Sequence, residues 1–212
     1  MAWPSSLQVA LKEWAVVCHA LETGPQIILL RKGGIVEARH GFAPEHREFL
    51  LFPTYLHQNE RMLKPAVHEQ LRAAQRTVAE KQPGPVAASA PSTSAVPPAH
   101  EPSEVSVFVA GVVSDVVQVR SRAQIDAWDQ EHVWTAPLID MRFDYRPKNP
   151  LYLLLVRAYR LAEPIALANT PAYAGCKSWV PLDQPIETGG AVPVLDDVRY
   201  EAKRANVLKA MG

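Results

Sequence analysis

A proline-rich segment near the middle of the chain most constrains what this sequence folds into. Residues 82–103 read QPGPVAASAPSTSAVPPAHEPS, with six prolines, no aromatic residue and no apolar periodicity. Such a segment buries too little apolar surface to offset the entropy lost on ordering it. We therefore expect a single α+β domain over residues 1–212 with a disordered insertion at 82–103. The alternative is two sub-domains, 1–81 and 104–212, each small for an independent fold.

Charge and cysteine content narrow the class of protein. The 22 Lys and Arg residues balance 22 Asp and Glu residues, so the formal net charge is zero. This balance excludes a strongly basic, histone-like protein and an acidic tail protein. The two cysteines, Cys18 and Cys176, lack the Cys and His spacing of a structural zinc site. We expect no cofactor, with Mg²⁺ entering only under an enzymatic alternative given below.

The longest apolar runs are too short to cross a membrane. Residues 27–30 and 151–156 fall well below the roughly 18 residues that a spanning helix needs. The first seven residues show no basic region followed by an apolar stretch, so we expect no secretory signal. The expected setting is the bacterial cytoplasm, with both cysteines reduced and no membrane association.

The hydrophobic pattern predicts a mixed or antiparallel sheet with flanking helices, and hence the α+β class. Helices are expected at 6–20, 64–81, 121–128 and 196–210, with a strand at 14–21 as the rival interpretation of the first. Strands are expected at 26–30, 49–55, 105–119, 141–145 and 151–161, with a short strand or turn at 175–181. Residues 141–161 would form a hairpin, and Gly111 suggests a bulge or a close backbone approach.

Basic residues at predicted strand ends are candidate phosphate contacts. Arg31 and Lys32 precede Gly33 and Gly34 at the end of a buried strand, where the side chains supply charge and the glycine amides supply donors. The alternative is a basic strand end followed by a glycine turn.

Further along the chain, Arg157 and Arg160 interrupt an aliphatic strand. An arginine on an apolar face needs a carboxylate partner or a bound anion. Glu13 and Glu48 are the candidate partners of Arg157.

Aromatic residues could supply a stacking surface for bases. Trp134, Tyr145 and Trp179 would form it, with Arg142 and Arg157 as phosphate contacts. The alternative is that the tryptophans fill the core.

Polar residues also follow the apolar strand expected at 49–55. Thr54, His57 and Gln58 lie at its end, and loops at strand ends are common functional positions. His57 could act as a general base or as a donor to phosphate. The alternative for His57 is a structural hydrogen bond.

An enzymatic hypothesis uses these residues together with two carboxylates. Glu13, Glu48 and His57 around Lys32 would serve a metal-dependent phosphodiesterase. Cys176, beside a lysine, could be a reactive thiolate or part of a tight turn. The sequence has no Walker loop, GxSxG or HExxH motif.

An ordered set of short motifs resembles a bacterial family catalogued as domain of unknown function 1802. The motifs are Leu11-Lys12-Glu13-Trp14, Arg31-Lys32-Gly33-Gly34-Ile35, the stretch 49–58, His132-Val133-Trp134-Thr135, the stretch 150–161 and Gly175-Cys176-Lys177-Ser178-Trp179. The resemblance covers roughly residues 7–182 outside the insertion. The family has no assigned activity, and the resemblance implies a nucleic-acid setting of the restriction-modification kind. The chain lacks the Asp and Glu-x-Lys pattern on strands that a nuclease of that kind shows.

The leading hypothesis is a nucleic-acid-associated binding or accessory factor that contacts DNA or RNA. Its expected contact residues are Arg31, Lys32, Gly33, Gly34, Arg142, Arg157, Arg160 and Trp179. The alternatives are the hydrolase built on Glu13, Glu48 and His57, and a protein-interaction module. The sequence does not determine the oligomeric state.

Overall fold

The computed structural model describes residues 3–32, 35–38, 41–80, 101–173 and 178–210, with side chains described outside 35–38, 41–42 and 79–80. The described strands are β1 Ser6–Trp14, β2 Ile28–Arg31, β3 Ile35–Ala38, β4 Gly41–Pro44, β5 Glu48–Thr54, β6 Glu104–Val119, β7 Leu151–Ala168, β8 Trp179–Glu187 and β9 Val192–Pro193. The described α-helices are α1 Ala15–Thr23, α2 His68–Glu80, α3 Arg122–Asp126, α4 Ala136–Asp144 and α5 Asp197–Lys209. None of the described helices is long and apolar enough to cross a membrane.

A seven-stranded mixed sheet organises the described part of the chain. Its strand order is β2-β7-β6-β5-β1-β8, and β9 also pairs with β7. The β1–β5 pair is parallel and the other pairs are antiparallel. Strands β3 and β4 form a separate antiparallel pair. The expected α+β class, with a mixed sheet and flanking helices, is confirmed.

The sheet is covered on both faces at β5, which explains the unbroken apolar run in that strand. Phe49 and Leu51 join a large cluster that includes buried residues of α1. Leu50 and Phe52 point the other way, into a second cluster with residues of β1 and β8. A strand covered on both faces loses the alternation of apolar and polar residues. Helix α1 lies on the first face, where it contacts β1, β5, β6 and β7.

Gly111 of β6 lies against two large side chains. A Cβ atom there would be 2.7 Å from Cγ1 of Val156 and 3.2 Å from the ring of Phe49. Both distances are shorter than carbon atoms tolerate without movement of a neighbour. The groups that crowd this glycine are side chains rather than backbone, and the register shifts of β6 lie on either side of Gly111.

The helix expected at 6–20 is wrong over its first nine residues. Ser6–Trp14 is β1, and only the part from Ala15 onward is helical. The register between β1 and β8 shifts between Leu7 and Val9. Because of this irregularity, Leu7 and Ala10 lie in the same hydrophobic cluster. The buried residues of the strand are therefore three positions apart, as they would be on a helix. The rival strand at 14–21 is also wrong.

The strand and hairpin expected from residue 141 are wrong as well. Residues 136–144 form α4, with Pro137 in its first turn and Leu138 and Ile139 buried. The alternation of Met141, Phe143 and Tyr145 suggested a strand, but Met141 and Tyr145 are 40% and 51% exposed. Strand β7 therefore pairs with β2, β6 and β9 rather than with residues 141–145.

The C-terminal end of the expected insertion lies against β5. The carboxylate of Glu101 accepts hydrogen bonds from the backbone amides of Tyr55 and Leu56, at 3.0 and 3.1 Å. Pro102 is buried, and the carbonyl of Ser103 accepts a hydrogen bond from the amide of Asn169. Residues 82–100 of that insertion lie outside the described part of the chain.

Candidate functional site

A buried ion pair lies where the parallel strands β1 and β5 end. One oxygen of Glu13 accepts a hydrogen bond from Nη2 of Arg31 at 2.9 Å, and the other accepts one from the amide of Trp14 at 2.7 Å. Arg31 also donates to the carbonyl of Lys12 at 2.8 Å. Glu13 is 6% exposed and Arg31 is 9% exposed. Because Arg31 ends β2, this pair joins the two distant strands β2 and β1.

Polar side chains after β5 complete this cluster. The hydroxyl of Thr54 donates to the carbonyl of Glu13 at 3.2 Å. The side-chain oxygen of Gln58 accepts from the amide of Val16 at 3.3 Å, and its nitrogen donates to the carbonyl of Thr54. These bonds satisfy a free amide in the first turn of α1. Thr54 and Gln58 therefore hold the start of α1 on the sheet.

The Arg31 guanidinium is paired with Glu13 but keeps one hydrogen-bonding group without a partner among the described residues. Burial lowers its pKa, Glu13 opposes that effect, and the nearby positive charge of Arg142 adds to it. Its Nε atom is buried and has no hydrogen-bond partner among the described residues. Arg31 is therefore a structural side chain in the interior, whereas Arg142 is half-buried nearby.

Lys32 closes the C-terminal end of α4. Its Nζ donates to the carbonyls of Phe143 and Tyr145, at 2.6 and 2.8 Å. A cation at this position satisfies terminal carbonyls and complements the helix dipole. Gly33 and Gly34, the other expected phosphate contacts of this segment, lie outside the described residues.

The last turn of α4 and the residues that follow it are basic and aromatic. We call residues 142–148 the basic-aromatic turn; it contains Arg142, Tyr145, Arg146 and Lys148. Tyr145 is 51% exposed, and the guanidinium carbon of Arg146 lies 5.2 Å from the centre of its ring. Arg142 is half-buried, whereas Arg146 and Lys148 are exposed. Asp144 is the one carboxylate within 142–148, so these residues together with Lys32 carry a net charge of about +3.

Arg157 and Arg160 are held by other parts of the chain. Arg157 forms an ion pair with Asp197 of α5, so the expectation that Glu13 or Glu48 is its partner is wrong. Its guanidinium also lies over the rings of Tyr159 and Tyr200. Arg160 donates to the carbonyl of Glu22 near the end of α1, at 2.9 Å. The structure therefore does not bring these arginines to the basic-aromatic turn.

Trp179 lies in the core rather than on a stacking surface. It is 9% exposed, and its ring packs edge-on against Phe49 with the ring centres 5.3 Å apart. Trp134 is 4% exposed. Of the three aromatic residues expected to stack on bases, Tyr145 is the one with an open ring.

The expected catalytic set does not converge. Glu48 begins β5, while Glu13 pairs with Pro53 near the other end of that strand. At about 3.3 Å per residue, five residues separate them by about 16 Å. His57 is exposed, with a left-handed backbone at φ 65°. Among the described residues no group of three or more His, Cys, Asp and Glu side chains could hold a metal ion.

The structure describes one of the two cysteines, Cys18. Cys176 and Lys177 lie outside the described part of the chain. Cys18 is half-buried on α1, and burial, with a smaller effect from nearby Glu13, raises the pKa of its thiol well above the ordinary value. Its thiol therefore stays protonated near neutral pH and is a poor nucleophile.

A protein-family model matches residues 10–206, and its description is Domain of unknown function (DUF1802). The chain belongs to the DUF1802 family. The matched range contains the Glu13–Arg31 pair and the whole basic-aromatic turn. Both therefore lie within the DUF1802 domain, and the family description assigns it no activity.

Two solved structures resemble this DUF1802 protein weakly, and both are crystal structures of point mutants of ZmASCH from Zymomonas mobilis. The tyrosine-to-phenylalanine mutant is 11% identical, with a TM-score of 0.40, and the match covers 83% of this chain and 90% of that one. The serine-to-alanine mutant is 12% identical, with a TM-score of 0.38 and coverages of 97% and 99%. At this level of similarity nothing about function follows. No curated protein matches the chain.

The sequence analysis did not identify Arg146 and Lys148 of the basic-aromatic turn as candidate contacts. The pattern places Arg146 and Lys148 in the loop of a hairpin, because prolines follow each of them closely. The signal that could have found them is an aromatic residue followed by two cations in a polar stretch, which is typical of exposed loops that bind ligands. The sequence analysis also expected Arg142 and Tyr145 to act together with Trp179. In the fold, Trp179 lies in the core and apart from them.

Proposed function

We propose that this DUF1802 protein binds single-stranded nucleic acid through the basic-aromatic turn. The observation that carries this proposal is the exposed ring of Tyr145 with Arg146 against it, in a short segment that also contains Arg142 and Lys148. These three cations form no ion pair with a carboxylate of the described residues. A half-exposed ring with free cations around it combines the two contacts that unpaired bases and their phosphates require.

The chemistry favours an unpaired strand over a duplex. Stacking on an aromatic side chain needs a base whose face is open, and each stacked base contributes about 1–3 kcal/mol. Arg146 already lies against one side of the Tyr145 ring, so the ring offers its remaining surface to one base. The zero net charge of the chain means that phosphate attraction is confined to this turn and is sensitive to salt.

Binding is tested by the fluorescence anisotropy of labelled single-stranded DNA and RNA, titrated with the whole protein from about 50 to 300 mM salt. Three cations that neutralise phosphates of a single strand give a log–log salt slope of about −2. The variant Arg142→Gln, Arg146→Gln and Lys148→Gln should bring that slope close to zero. Tyr145→Ala should weaken binding by about 5- to 150-fold at every salt concentration and leave the slope unchanged.

A matched control separates the turn from the overall charge. Arg76, Arg120 and Arg199 are exposed and lie outside the turn. Their replacement by Gln changes the net charge by the same three units, so it should leave the salt slope within error of the wild-type value. Equal losses in the two triple variants would contradict a binding site at the turn. Undetectable binding at about 50 mM salt, where phosphate contacts are strong, would remove nucleic acid as the ligand.

The proposal includes binding and no catalytic step. Glu13 and Arg31 are buried against each other, Lys32 closes α4, and Arg157 is paired with Asp197. We assign these residues to the architecture of the fold, in which Lys32 holds the end of α4 where the turn begins. No arrangement of the described residues favours the hydrolase alternative over binding.

A further inference from the structure

The exposed face of α4 continues the surface of the basic-aromatic turn. Among the residues that the structure describes, five large apolar or aromatic side chains are exposed, and two of them are Met141 and Tyr145. The amide of Tyr145 donates to the carbonyl of Met141 at 2.9 Å, so the helical geometry reaches Tyr145. Side chains four residues apart on a helix are neighbours, with Cβ atoms about 5–6 Å apart. Met141 therefore extends the open surface beside the Tyr145 ring.

A carboxylate lies next to Met141 on the same exposed face. Asp144 is exposed and follows Met141 by three residues, which is the other neighbour spacing on a helix. Asp140, one turn earlier, is held in an ion pair by Arg122. We call Met141, Asp144 and Tyr145 the α4 platform, because two of these side chains offer apolar surface and the third places a carboxylate at its edge.

The oxygens of Asp144 are open to a ligand. The nearest cation along the turn, Lys32, donates instead to the backbone carbonyls of Phe143, Tyr145 and Arg146, at 2.6, 2.8 and 3.5 Å. An ammonium group has three N–H donors, and these three carbonyls take them. Within the described ranges the Asp144 carboxylate forms no ion pair and accepts no hydrogen bond. It is therefore a surface acceptor that needs a donor from outside the described part of the chain.

A free carboxylate beside a stacking surface distinguishes between bases. An ionised carboxylate accepts hydrogen bonds and donates none. It attracts the exocyclic amine of cytosine, which is a known contact of Asp and Glu side chains. Uracil has a carbonyl oxygen in place of that amine, and its one N–H group on this edge lies between two carbonyl oxygens that a carboxylate repels. A site gains specificity from such repulsion as well as from attraction.

We propose that the α4 platform makes the basic-aromatic turn selective for bases that carry an exocyclic amine, with the ring over Tyr145 and Met141 and the amine toward Asp144. This inference rests on the single-strand binding proposed above and names the class of base that is bound. Phosphate contacts to the cations of the turn are the same for every base and carry no such selectivity.

Cytosine and uracil are the matched probes, since both are single six-membered rings. Labelled RNA strands of about eight nucleotides, of cytidine alone or of uridine alone, are titrated with the whole protein at neutral pH and about 50 mM salt. Fluorescence anisotropy gives the two dissociation constants. The cytidine strand should bind about fivefold or more tightly than the uridine strand, as one hydrogen bond to a charged group implies.

A pair of substitutions links this ratio to Asp144. In Asp144→Asn the side-chain amide can turn an N–H donor toward the carbonyl oxygen of uracil, so the ratio should fall to about one. Asp183→Asn, at an exposed position of β8, makes the same change of charge elsewhere and should leave the ratio at the wild-type value. Because each variant is compared with itself on two strands, differences in overall charge cancel in the ratio.

A second pair tests the apolar part of the α4 platform. Met141→Ala removes surface under the base and should weaken the binding of both strands about fivefold, with the ratio unchanged. Val198→Ala, at a position of α5 that is 80% exposed, shortens another surface side chain and should change neither affinity. Circular dichroism verifies that each variant is folded, and Met141 and Asp144 lie outside the core.

The possible failures separate the selectivity from the binding itself. Equal affinities of the wild type for the two strands would overturn the selectivity and leave binding at the turn intact. A preference for cytidine that persists in Asp144→Asn would overturn the role of this carboxylate. Undetectable binding of both strands would overturn the selectivity together with the proposed function.

Discussion

Acidification should destabilise this protein through one buried histidine, His132. The ring is 5% exposed, and its Nδ1 accepts a hydrogen bond from the amide of Trp134 at 3.2 Å. Burial, with a smaller effect from the charge of Lys64, lowers the pKa of His132 from 6.5 to about 4. Protonation would also destroy the bond from Trp134, because a charged ring has no acceptor nitrogen.

The sign and size of the effect follow from this pKa. Above pH 6.5 the ring is neutral in both the folded and the unfolded chain, so it adds no pH dependence. Between pH 6.5 and about pH 4 the unfolded chain takes up the proton and the folded chain does not, so stability falls as the pH falls. A difference of about 2.5 pKa units corresponds to a loss of about 3 kcal/mol, complete below about pH 4.

The assay is urea unfolding at stepped pH from about 7.5 to 4, for the wild type and for His132→Asn. Asparagine keeps an acceptor for the amide two residues on and does not titrate. The free energy of unfolding of the wild type, minus that of the variant, should decrease by about 3 kcal/mol between about pH 7 and pH 4. The 22 carboxylates contribute equally to both proteins and cancel in this difference.

A second substitution supplies the control. His57→Asn removes an exposed histidine at a backbone φ of 65°, which asparagine adopts readily. Its pH profile should follow that of the wild type. Parallel profiles for the wild type and His132→Asn across the whole range would refute the reasoning about the buried ring.

Three further substitutions test the packing that supports the site. Glu13→Gln should lower the free energy of unfolding in urea by about 3 kcal/mol, because it leaves the Arg31 charge buried without its partner. The double variant Glu13→Leu with Arg31→Met should lower it by less. A larger loss in the double variant would contradict the role given to the ion pair. Gly111→Ala should lower the free energy of unfolding by about 1–3 kcal/mol, because the added methyl group overpacks the core. Adding Val156→Ala should restore part of that stability, and thermal melts measure both variants. Lys32→Met should cost about 1 kcal/mol by leaving the α4 carbonyls unsatisfied, whereas unchanged stability would mean that solvent replaces the ammonium group.

The hydrophobic pattern predicted the helices and strands in which burial follows a regular arrangement along the sequence. The final helix and the long strand β6 match their patterns because one residue spacing dominates each of them. Strand β5 matches because a short, unbroken apolar run is typical of a strand covered on both faces. The first strand failed because an irregularity at Leu7 and Val9 gives it the spacing of a helix. Helix α4 was missed because Met141 and Tyr145 alternate like strand residues although both face solvent.

The candidate site shows a similar division. The sequence placed Arg31, Thr54 and Gln58 at strand ends, but it placed Glu13 in a helix and expected it to act in catalysis or to pair with Arg157. It did not reveal that Arg31 spans from β2 to Glu13, because that contact depends on how the two strands are brought together. Arg157 illustrates the same point, since Asp197 is 40 residues away in the chain.

By itself, the sequence determined the α+β class, the family and a chain of zero net charge whose ligand contacts must be local. Composition and residue spacing carry that information because they set which segments bury apolar surface. Only the tertiary structure decided which cations are free. Arg31, Lys32 and Arg157 find partners through folding, whereas Arg142, Arg146 and Lys148 remain at the surface beside Tyr145. A charge placed by folding near a carboxylate or a helix end becomes part of the architecture, and its partner can lie far away in the sequence, as Asp197 does from Arg157.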